Sequence, residues 1–227
     1  MPKRMTPDNK DIVNQYVLVL DTETTGLPRG RRVTSDTFTK WDSARLVQIA
    51  WEFYNPAKEC IKRESYIVIP DGFDIPEFVT NIHGISTERA HNEGIALLDV
   101  LKKLHILLSY NPIIVAHNMQ FDSDIIMAEL YRYDNKLNNS IITREMTTYK
   151  IQIEDMIDLW DKCDKQCTML MGTIPGEKWP KLAILYEKCF GKAPEGEMHR
   201  ADNDVRACAD IYFHLLVDEI NGTNPDN

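Results

Sequence analysis

Two carboxylates close a short apolar segment near the start of the chain, where residues 17–20 are followed by Asp21 and Glu23. Residues two apart on a β-strand point to the same face, so both acids would project together from the carboxyl end of a buried strand. Like charges held so close repel each other, and a divalent cation between them relieves the repulsion. Carboxylate oxygens are hard ligands that suit Mg²⁺ or Mn²⁺. The same pattern also fits a strand that ends at a solvated polar turn.

A third acidic residue, Asp204, lies near the C-terminus in a helical pattern that runs to about residue 220. It shares one helical stripe with Cys208 and Leu215, and a carboxylate on a core-facing stripe is costly unless it is paired or ligates a metal. We therefore expect Asp204 to join the two strand-end acids. His199 precedes this helix, and a loop could fold it over the acids, where its side chain could accept a proton. The alternative for His199 is an exposed loop histidine.

A second strand-to-helix junction follows an apolar run at residues 112–116 that is too short for a helix. If this strand lies parallel to the first, its carboxyl end faces the same crevice. Asp122 would then reach the crevice from the first turn of a helix at 123–131, whose dipole favours a carboxylate. That position also fits an acid that only stabilises the helix start. His117 is expected to be a hydrogen-bonding residue at the strand end rather than a catalytic one.

The other elements follow from hydrophobic periodicity and from glycine, proline and N-cap signals. We predict antiparallel strands at 46–54 and 61–69, a short edge segment at 168–171, and helices at 76–81, 86–91, 95–108, within 142–160, and at 180–190. Ser86 and Asp202 are the expected N-caps, and Gly191 is expected to close the helix before it. His105 keeps the helical spacing of its apolar neighbours, which indicates a structural histidine.

A polar excursion at residues 27–43 follows the first strand and carries Arg29, Arg31 and Arg32 together with two aromatic residues. Guanidinium groups and aromatic rings beside a metal site suit contacts with phosphates and bases. A solvated insertion explains the same composition equally well.

Composition limits the domain organisation and the partners. At 227 residues and 43% hydrophobic content, the chain is long enough for one sizeable core and short for two. We expect one domain over residues 12–220 between flexible tails at 1–11 and 221–227. A net charge of −9 argues against broad electrostatic adhesion to nucleic acid or membrane, but leaves room for a local basic patch. No apolar run approaches the ~20 residues needed to span a bilayer.

Five cysteines form an odd set without the dense spacing of a disulfide scaffold. This pattern favours the cytoplasm or another reducing intracellular compartment over secretion. Cys163 and Cys167 are four residues apart, but no second close pair of cysteines or histidines follows them. A zinc protein built on these two residues is therefore a minor alternative.

Three motifs occur in order along the chain: Asp-x-Glu beginning at Asp21, His-Asn-x-x-Phe-Asp ending at Asp122, and His-x-x-x-x-Asp ending at Asp204. Together they resemble the motifs of the DEDDh family. These ribonuclease H-like 3′–5′ exonucleases include the proofreading subunit of bacterial DNA polymerase III, ribonuclease T and the TREX nucleases. The Ile-His-Gly-Ile segment at 82–85 is similar to a segment between the family's first two motifs. The resemblance covers about residues 16–216 and implies an α/β fold with a mixed central β-sheet flanked by α-helices.

The resemblance also implies the chemistry of the site. Carried over by position, the metal ligands for two Mg²⁺ or Mn²⁺ ions would be Asp21, Glu23, Asp122 and Asp204. His199 would be the general base. The reaction implied is release of 5′-mononucleotides from a nucleic acid 3′ end, with single-stranded DNA favoured and RNA possible. The substrate-binding candidates from the resemblance and from the arginine-bearing loop are Thr24, Leu27, His83, Asn118, Arg29, Arg31 and Arg32.

Two segments depart from the family pattern, the loop at 27–43 and the stretch at 135–171, and both leave the substrate preference open. A polymerase partner and a homodimer also stay open. Two other functional classes fit the residues less well: a nucleic-acid-binding or polymerase-associated module without activity, and a metal phosphoesterase that acts on small nucleotides.

Overall fold

A mixed five-stranded sheet forms the centre of the protein. The computed structural model describes residues 14–139, 144–196 and 198–221. Its strands are β1 (Val17–Thr24), β2 (Leu46–Tyr54), β3 (Cys60–Ile67), β4 (Ile113–Ala116) and β5 (Lys165–Cys167). They lie in the order β3-β2-β1-β4-β5, in which the first three are antiparallel and the last three are parallel. β1 is therefore the central strand and has a partner on each side.

Helices cover both faces of this sheet. They are α1 (Glu77–His83), α2 (Thr87–Glu93), α3 (Leu97–Leu108), α4 (Met119–Asn138), α5 (Arg144–Lys162), α6 (Thr168–Met171), α7 (Leu182–Phe190) and α8 (Ala201–Asn221). The predicted N-cap at Ser86 is confirmed, because its side chain accepts a hydrogen bond from the Arg89 backbone N–H. Gly191 closes α7 in the left-handed conformation, with φ of 68°, as predicted. His105 bonds Asp155 at 2.6 Å, which confirms a structural role.

Three sequence predictions about elements are wrong. The edge strand is β5, three residues before the predicted 168–171 segment, and that segment forms the single helical turn α6. α8 already includes Ala201, so Asp202 lies in its first turn and is not the N-cap. α4 begins at Met119, four residues earlier than predicted, because Asn118 adopts a left-handed conformation that turns the chain directly into the helix.

The alternation of side chains along β1 divides the core in two. Leu18 and Leu20 pack in a large cluster with residues of α3, α4 and α5. Val17 and Val19 pack on the other face against α8, in a cluster that contains Cys208. Burying a side chain of this kind contributes about 1.5–3 kcal/mol, so the strand is fixed in register on both faces. The α8 face is the one on which the alternation continues to the two strand-end acids.

The segment that follows β1 is ordered by its own core residue. Trp41 lies in a 3₁₀ turn at Phe38–Trp41. It is fully buried and packs in the same large cluster as Leu18 and Leu20. A Cβ on Gly30 would lie 2.4 Å from the Trp41 ring, so the loop closes over the indole only because residue 30 lacks a side chain. Asp42 bonds Arg132 of α4 at 3.0 Å. The alternative of a solvated insertion therefore does not hold for the second half of the loop, and Trp41 is not available to a ligand.

Part of the predicted domain boundaries lies outside the described residues, namely the tail at 1–11 and residues 222–227. Asn221, predicted to belong to the second tail, ends α8 instead. None of the described helices is both long enough and apolar enough to cross a membrane.

Candidate active site at the carboxyl end of the sheet

Three carboxylates meet where β1 ends beneath α8. Asp21 and Glu23 continue the face of β1 that carries Val17 and Val19, as the two-residue period requires. Asp204 reaches them from the first turn of α8, and ligand oxygens of the three residues all lie within 4.8 Å of one another. Asp204 is only 6% exposed, which confirms that it belongs to the core-facing stripe of its helix.

Asp122 approaches the same strand end from the first turn of α4. Its Oδ1 accepts hydrogen bonds from the Thr22 backbone N–H at 3.0 Å and the Thr22 hydroxyl at 2.8 Å. These bonds fix the orientation of the carboxylate. Thr22 was not among the residues predicted for the site. Its position between the two strand acids is the only sequence signal for it, since its bond to Asp122 spans one hundred residues of chain.

Burial raises the pKa values of the four carboxylates, and neighbouring acids raise those of Asp21 and Glu23 further. Burial raises the pKa of Asp21 well above its usual range, and the charges of Asp122, Asp204 and Glu23 act in the same direction. Burial together with the Asp204 and Asp122 charges raises the pKa of Glu23 to about 8. Burial raises the pKa of Asp204 to about 6, although a hydrogen bond from His199 opposes the shift. Among the described residues, no positive charge opposes the shifts at Asp21 and Glu23, so nothing there offsets their repulsion when they are ionised.

His199 lies in the connection before α8, in a left-handed conformation with φ of 64°. Its backbone N–H donates a hydrogen bond to Asp204 Oδ2 at 3.0 Å, which fixes the end of the connection beside the acids. The residue itself is exposed. Asp204 Oδ1 is buried without a hydrogen-bond partner among the described residues. A buried carboxylate oxygen of this kind needs a donor or a cation.

Two of the predicted substrate-binding residues lie together on the β2 side of the cluster. Thr24 ends β1 and donates its hydroxyl to the Gly26 carbonyl at 2.7 Å. His83 ends α1 and is buried; burial lowers its pKa, and the Thr24 backbone opposes the shift. Leu27 is exposed just beyond Thr24. These three positions form one flank of the acidic cluster.

The other candidates lie at the helix and loop that border the site. Asn118 is exposed at the left-handed N-cap of α4, directly after β4. Arg29, Arg31 and Arg32 are exposed on the loop that docks on α4. The Arg32 charge acts on Asp124, which lies two residues after Asp122 in α4. The structure thus brings the arginine loop to the α4 side of the site.

Two further predictions concern residues that do not join the acids. His117 hydrogen-bonds Thr168 Oγ1 through Nδ1 at 2.9 Å and the Pro180 carbonyl through Nε2 at 3.0 Å, so both ring nitrogens have structural partners. This confirms it as a hydrogen-bonding residue at the strand end. Cys163 is buried in the larger core cluster. Within the described residues, the potential metal-ligand group contains neither Cys163 nor Cys167, which removes the support for a zinc site.

The acidic cluster fits a divalent cation of the hard class. All its side chains offer carboxylate oxygens, which Mg²⁺ and Mn²⁺ prefer over nitrogen or sulfur. Burial and the charges of neighbouring acids both disfavour the ionised form of Asp21 and Glu23, and a bound cation would offset that cost. The orphaned Asp204 Oδ1 is one free ligand atom of that set.

A comparison with protein-family models assigns the chain to a family. The model of the RNase_T family, described as an exonuclease, matches residues 18–212. The chain belongs to this exonuclease family. The match confirms the resemblance to the DEDDh exonucleases and supports a nuclease that binds nucleic acid. A sequence search of curated proteins found no match.

Solved structures of exonuclease I share the fold. The enzyme from Methylocaldum szegediense matches with a TM-score of 0.59 and 18% identity, over 92% of this chain and 41% of that one. E. coli exonuclease I in complex with a dT13 oligonucleotide matches with a TM-score of 0.58 and 19% identity, over 90% of this chain and 41% of that one. These matches confirm the α/β ribonuclease H-like fold. The chain spans less than half the length of the exonuclease I chains that it matches.

Proposed function

We propose that this protein is a 3′–5′ exonuclease that uses two divalent metal ions to release 5′-mononucleotides from DNA, with single strands favoured and RNA possible. The observation that carries the proposal is the set of four buried or half-buried carboxylates at the end of β1, whose pKa values are raised by burial and, at Asp21 and Glu23, also by neighbouring acids. Membership of the exonuclease family supplies the class of reaction.

Each acidic residue has a defined part in the proposed site. Asp21 faces the charges of the other three acids, so it is the ligand proposed to be shared between the two ions. Glu23 and Asp204 complete the group whose oxygens lie within 4.8 Å. Asp122, oriented by Thr22, is proposed as the fourth ligand through its second oxygen. When bound, Mg²⁺ or Mn²⁺ would activate the attacking water and neutralise the charge that develops on the phosphate.

Residues of the chain are proposed to accept the proton of the attacking water and to orient the terminal nucleotide. His199 is proposed to accept a proton from the water that attacks phosphorus, since its backbone is already fixed against Asp204 and the residue is exposed toward solvent. The bond from phosphorus to the upstream 3′ oxygen breaks, and the 5′ phosphate stays on the released nucleotide. Thr24, Leu27 and His83 are proposed to bind that terminal nucleotide.

Two observations support single-stranded DNA as the substrate. Structures of E. coli exonuclease I hold dT13 and dA16 oligonucleotides, and that enzyme has the same fold. The exposed arginines of the 27–43 loop and Asn118 border the site and suit contacts with a phosphate backbone. We propose that they bind the substrate strand.

The test is degradation of an oligonucleotide labelled at its 5′ end, with Mg²⁺, with Mn²⁺ and with EDTA. The proposal predicts a ladder that shortens from the 3′ end with metal and no cleavage with EDTA. A blocked 3′ end should prevent the ladder, and single-stranded DNA, duplex DNA and RNA compared in parallel rank the substrates. Hydrolysis of small nucleotide esters without cleavage of oligonucleotides would favour the phosphoesterase alternative. Binding without any hydrolysis would favour an inactive nucleic-acid-binding module.

A further inference from the structure

One large aromatic side chain near the site is not used by the proposed chemistry. Trp179 lies in the connection between α6 and α7, and it is 68% exposed. The other three tryptophans, Trp41, Trp51 and Trp160, are fully buried. An indole has a larger apolar surface than a leucine side chain, so leaving it in water costs more free energy. An exposed tryptophan therefore indicates a binding site more strongly than a single exposed leucine does.

The connection that carries Trp179 is anchored to the end of β4. The carbonyl of Pro180, the next residue, accepts the hydrogen bond of His117 Nε2 at 3.0 Å. Pro180 is buried, and the other nitrogen of His117 is bonded to the fully buried Thr168. The exposed indole is therefore presented by a fixed backbone.

The strand register places this anchor at the rim of the acidic cluster. β1 and β4 are parallel with Val19 opposite Val115, so residue 117 follows β4 at the level that Asp21 occupies on β1. Trp179 thus belongs to the β4 side of the cluster. His83 lies on the opposite side, because α1 packs against Val47 of β2.

Charge around Trp179 suits a polyanion. Lys178 and Lys181 flank it, and both are exposed. The protein as a whole carries a net charge of −9, so a lysine-tryptophan-proline-lysine segment beside the cleft is a local exception. Exposed aromatic rings interleaved with cations are the usual means of binding single-stranded nucleic acid, because every base offers a face for stacking and every linkage a charge.

We propose that Trp179 stacks on an unpaired base of the substrate strand on the 5′ side of the scissile phosphate, while Lys178 and Lys181 contact the adjoining phosphates. The proposal rests on the proposed exonuclease function, which places the terminal nucleotide on the His83 side. A strand that crosses the acids from that side then continues past the end of β4. A base held by a duplex partner could not stack there, so Trp179 would favour single strands.

The four tryptophans supply a direct readout. Because Trp179 is the exposed one, addition of unlabelled oligothymidylate in Ca²⁺ should quench the exposed fraction of the protein's fluorescence, and Trp179→Phe should abolish that quenching while it keeps most of the affinity. A base stacked on the indole produces this result, whereas an effect of Trp179 on folding alone does not.

Affinity is measured on the same samples with a fluorescein-labelled oligothymidylate in Ca²⁺. Trp179→Ala should weaken binding by about 5- to 150-fold, since stacking contributes about 1–3 kcal/mol for each base. Hydrolysis of the p-nitrophenyl ester of thymidine 5′-monophosphate, which reaches only the terminal site, should stay at the wild-type rate. Ile106→Ala, at an exposed apolar residue on α3, is the matched control and should change neither quantity.

The lysines are tested through the dependence of affinity on salt. Replacing both Lys178 and Lys181 with Ser should lower the slope of log affinity against log salt by about 1.4, that is about 0.7 for each phosphate that the variant no longer neutralises. Lys58→Asn is the control, because residue 58 lies in the β2–β3 turn at the opposite end of the sheet.

The outcomes separate the two proposals. Wild-type cleavage of oligonucleotides with unchanged affinity and unchanged quenching in the Trp179 variants would overturn the stacking proposal and leave the exonuclease proposal in place. Loss of ester hydrolysis as well as affinity in Trp179→Ala would also overturn it, because the residue would then serve the fold or another interface. Wild-type protein that binds the oligonucleotide with quenching but never cleaves it would support stacking and defeat the exonuclease assignment.

Discussion

A cluster of three acids and a single buried glutamate lie near the same end of the sheet, and they are built in opposite ways. On the α8 face, oxygens of Asp21, Glu23 and Asp204 lie within 4.8 Å of one another, and no lysine or arginine in the described part of the chain forms a salt bridge with them. On the α4 face, Glu129 is only 2% exposed but receives Arg45 Nε at 2.8 Å. The Leu46 backbone N–H donates to the same carboxylate at 3.1 Å, and Arg132 Nη1 lies 2.9 Å from it.

The difference indicates that Glu129 has a structural role and that the acids on the α8 face have a functional one. Glu129 is satisfied within the chain, so it holds β2 and α4 together whatever is bound elsewhere. Burial raises the pKa of Asp21 and Glu23, and the charges of Asp122 and Asp204 raise it further, which destabilises the folded protein when these acids are ionised. A chain keeps such a cluster when a bound cation offsets the cost during function.

The largest expected effect is loss of nuclease activity in Asp21→Asn or Asp204→Asn. Each change removes one ligand charge from the metal cluster, so hydrolysis should fall on the order of 10³-fold or more, roughly 4 kcal/mol of barrier. The metal-free variants should melt at or above the wild-type temperature, because the repulsion is reduced. Near-normal cleavage at saturating Mg²⁺ in either variant would show that the metal assignment is wrong.

Loss of the general base comes next. His199→Ala should keep its affinity for metal and for oligonucleotide but lose turnover by on the order of 10²–10⁴-fold. Single-turnover cleavage at saturating metal and substrate separates the chemical step from binding, and it is the measurement that checks this loss. Cleavage within a few-fold of wild type in His199→Ala would exclude His199 as the base.

Glu129 provides the contrasting case, in which the effect is on stability. Glu129→Ala leaves Arg45 without its partner in a mostly buried position, and the free energy of unfolding should fall by about 3–5 kcal/mol. Activity of the remaining folded protein should be close to wild type. Glu93→Ala, which breaks the exposed pair with Arg89, is the matched control and should cost about 1 kcal/mol or less by denaturant unfolding. Equal losses in the two variants would mean that Glu129 is not a structural centre.

The smallest effect is expected at the loop. Charge reversal of Arg29, Arg31 and Arg32 together should weaken oligonucleotide binding and reduce the salt slope by about 0.7 for each phosphate that these arginines neutralise in the wild type. Turnover at saturating substrate should change little, since the loop lies outside the acidic cluster. If the salt slope of the triple variant matches that of the wild type, the arginines are solvated and do not bind the strand.

The sequence predicted the positions of the acids better than the positions of the residues that contact them. The strand period predicts that Asp21 and Glu23 share one face of β1, and the helix period predicts that Asp204 faces the core. Both periods are local properties of the sequence. The Thr22 bond to Asp122 could not be predicted, because it depends on how α4 docks on the strand. The same is true of Trp179, whose position depends on the tertiary bond between Pro180 and His117.

The errors in the elements have the same origin. A short apolar run such as residues 168–171 fits a strand or a helical turn equally well by pattern. The open edge of β4 decides the outcome, since it pairs with the polar Lys165–Cys167 segment and leaves the apolar run to form α6. Capping at α8 was misjudged by two residues, which is the usual uncertainty of helix ends.

The most direct test of the account is thermal unfolding of wild type and Asp21→Asn in EDTA, from about pH 4 to pH 8, and again with Mn²⁺ at pH 8. Raised pKa values mean that the folded protein holds these protons more tightly than the unfolded chain. The stability that they contribute is therefore complete below the ordinary carboxyl range and is lost as pH rises through about 6 for Asp204 and about 8 for Glu23.

Relative to the variant, wild type should lose several degrees of Tm across this range, since each kcal/mol shifts Tm by about 2–4 °C in a domain of this size. Mn²⁺ should restore that loss in wild type and have a much smaller effect on Asp21→Asn. If the two proteins show the same pH dependence and neither responds to Mn²⁺, the acids at the end of β1 do not form a metal site.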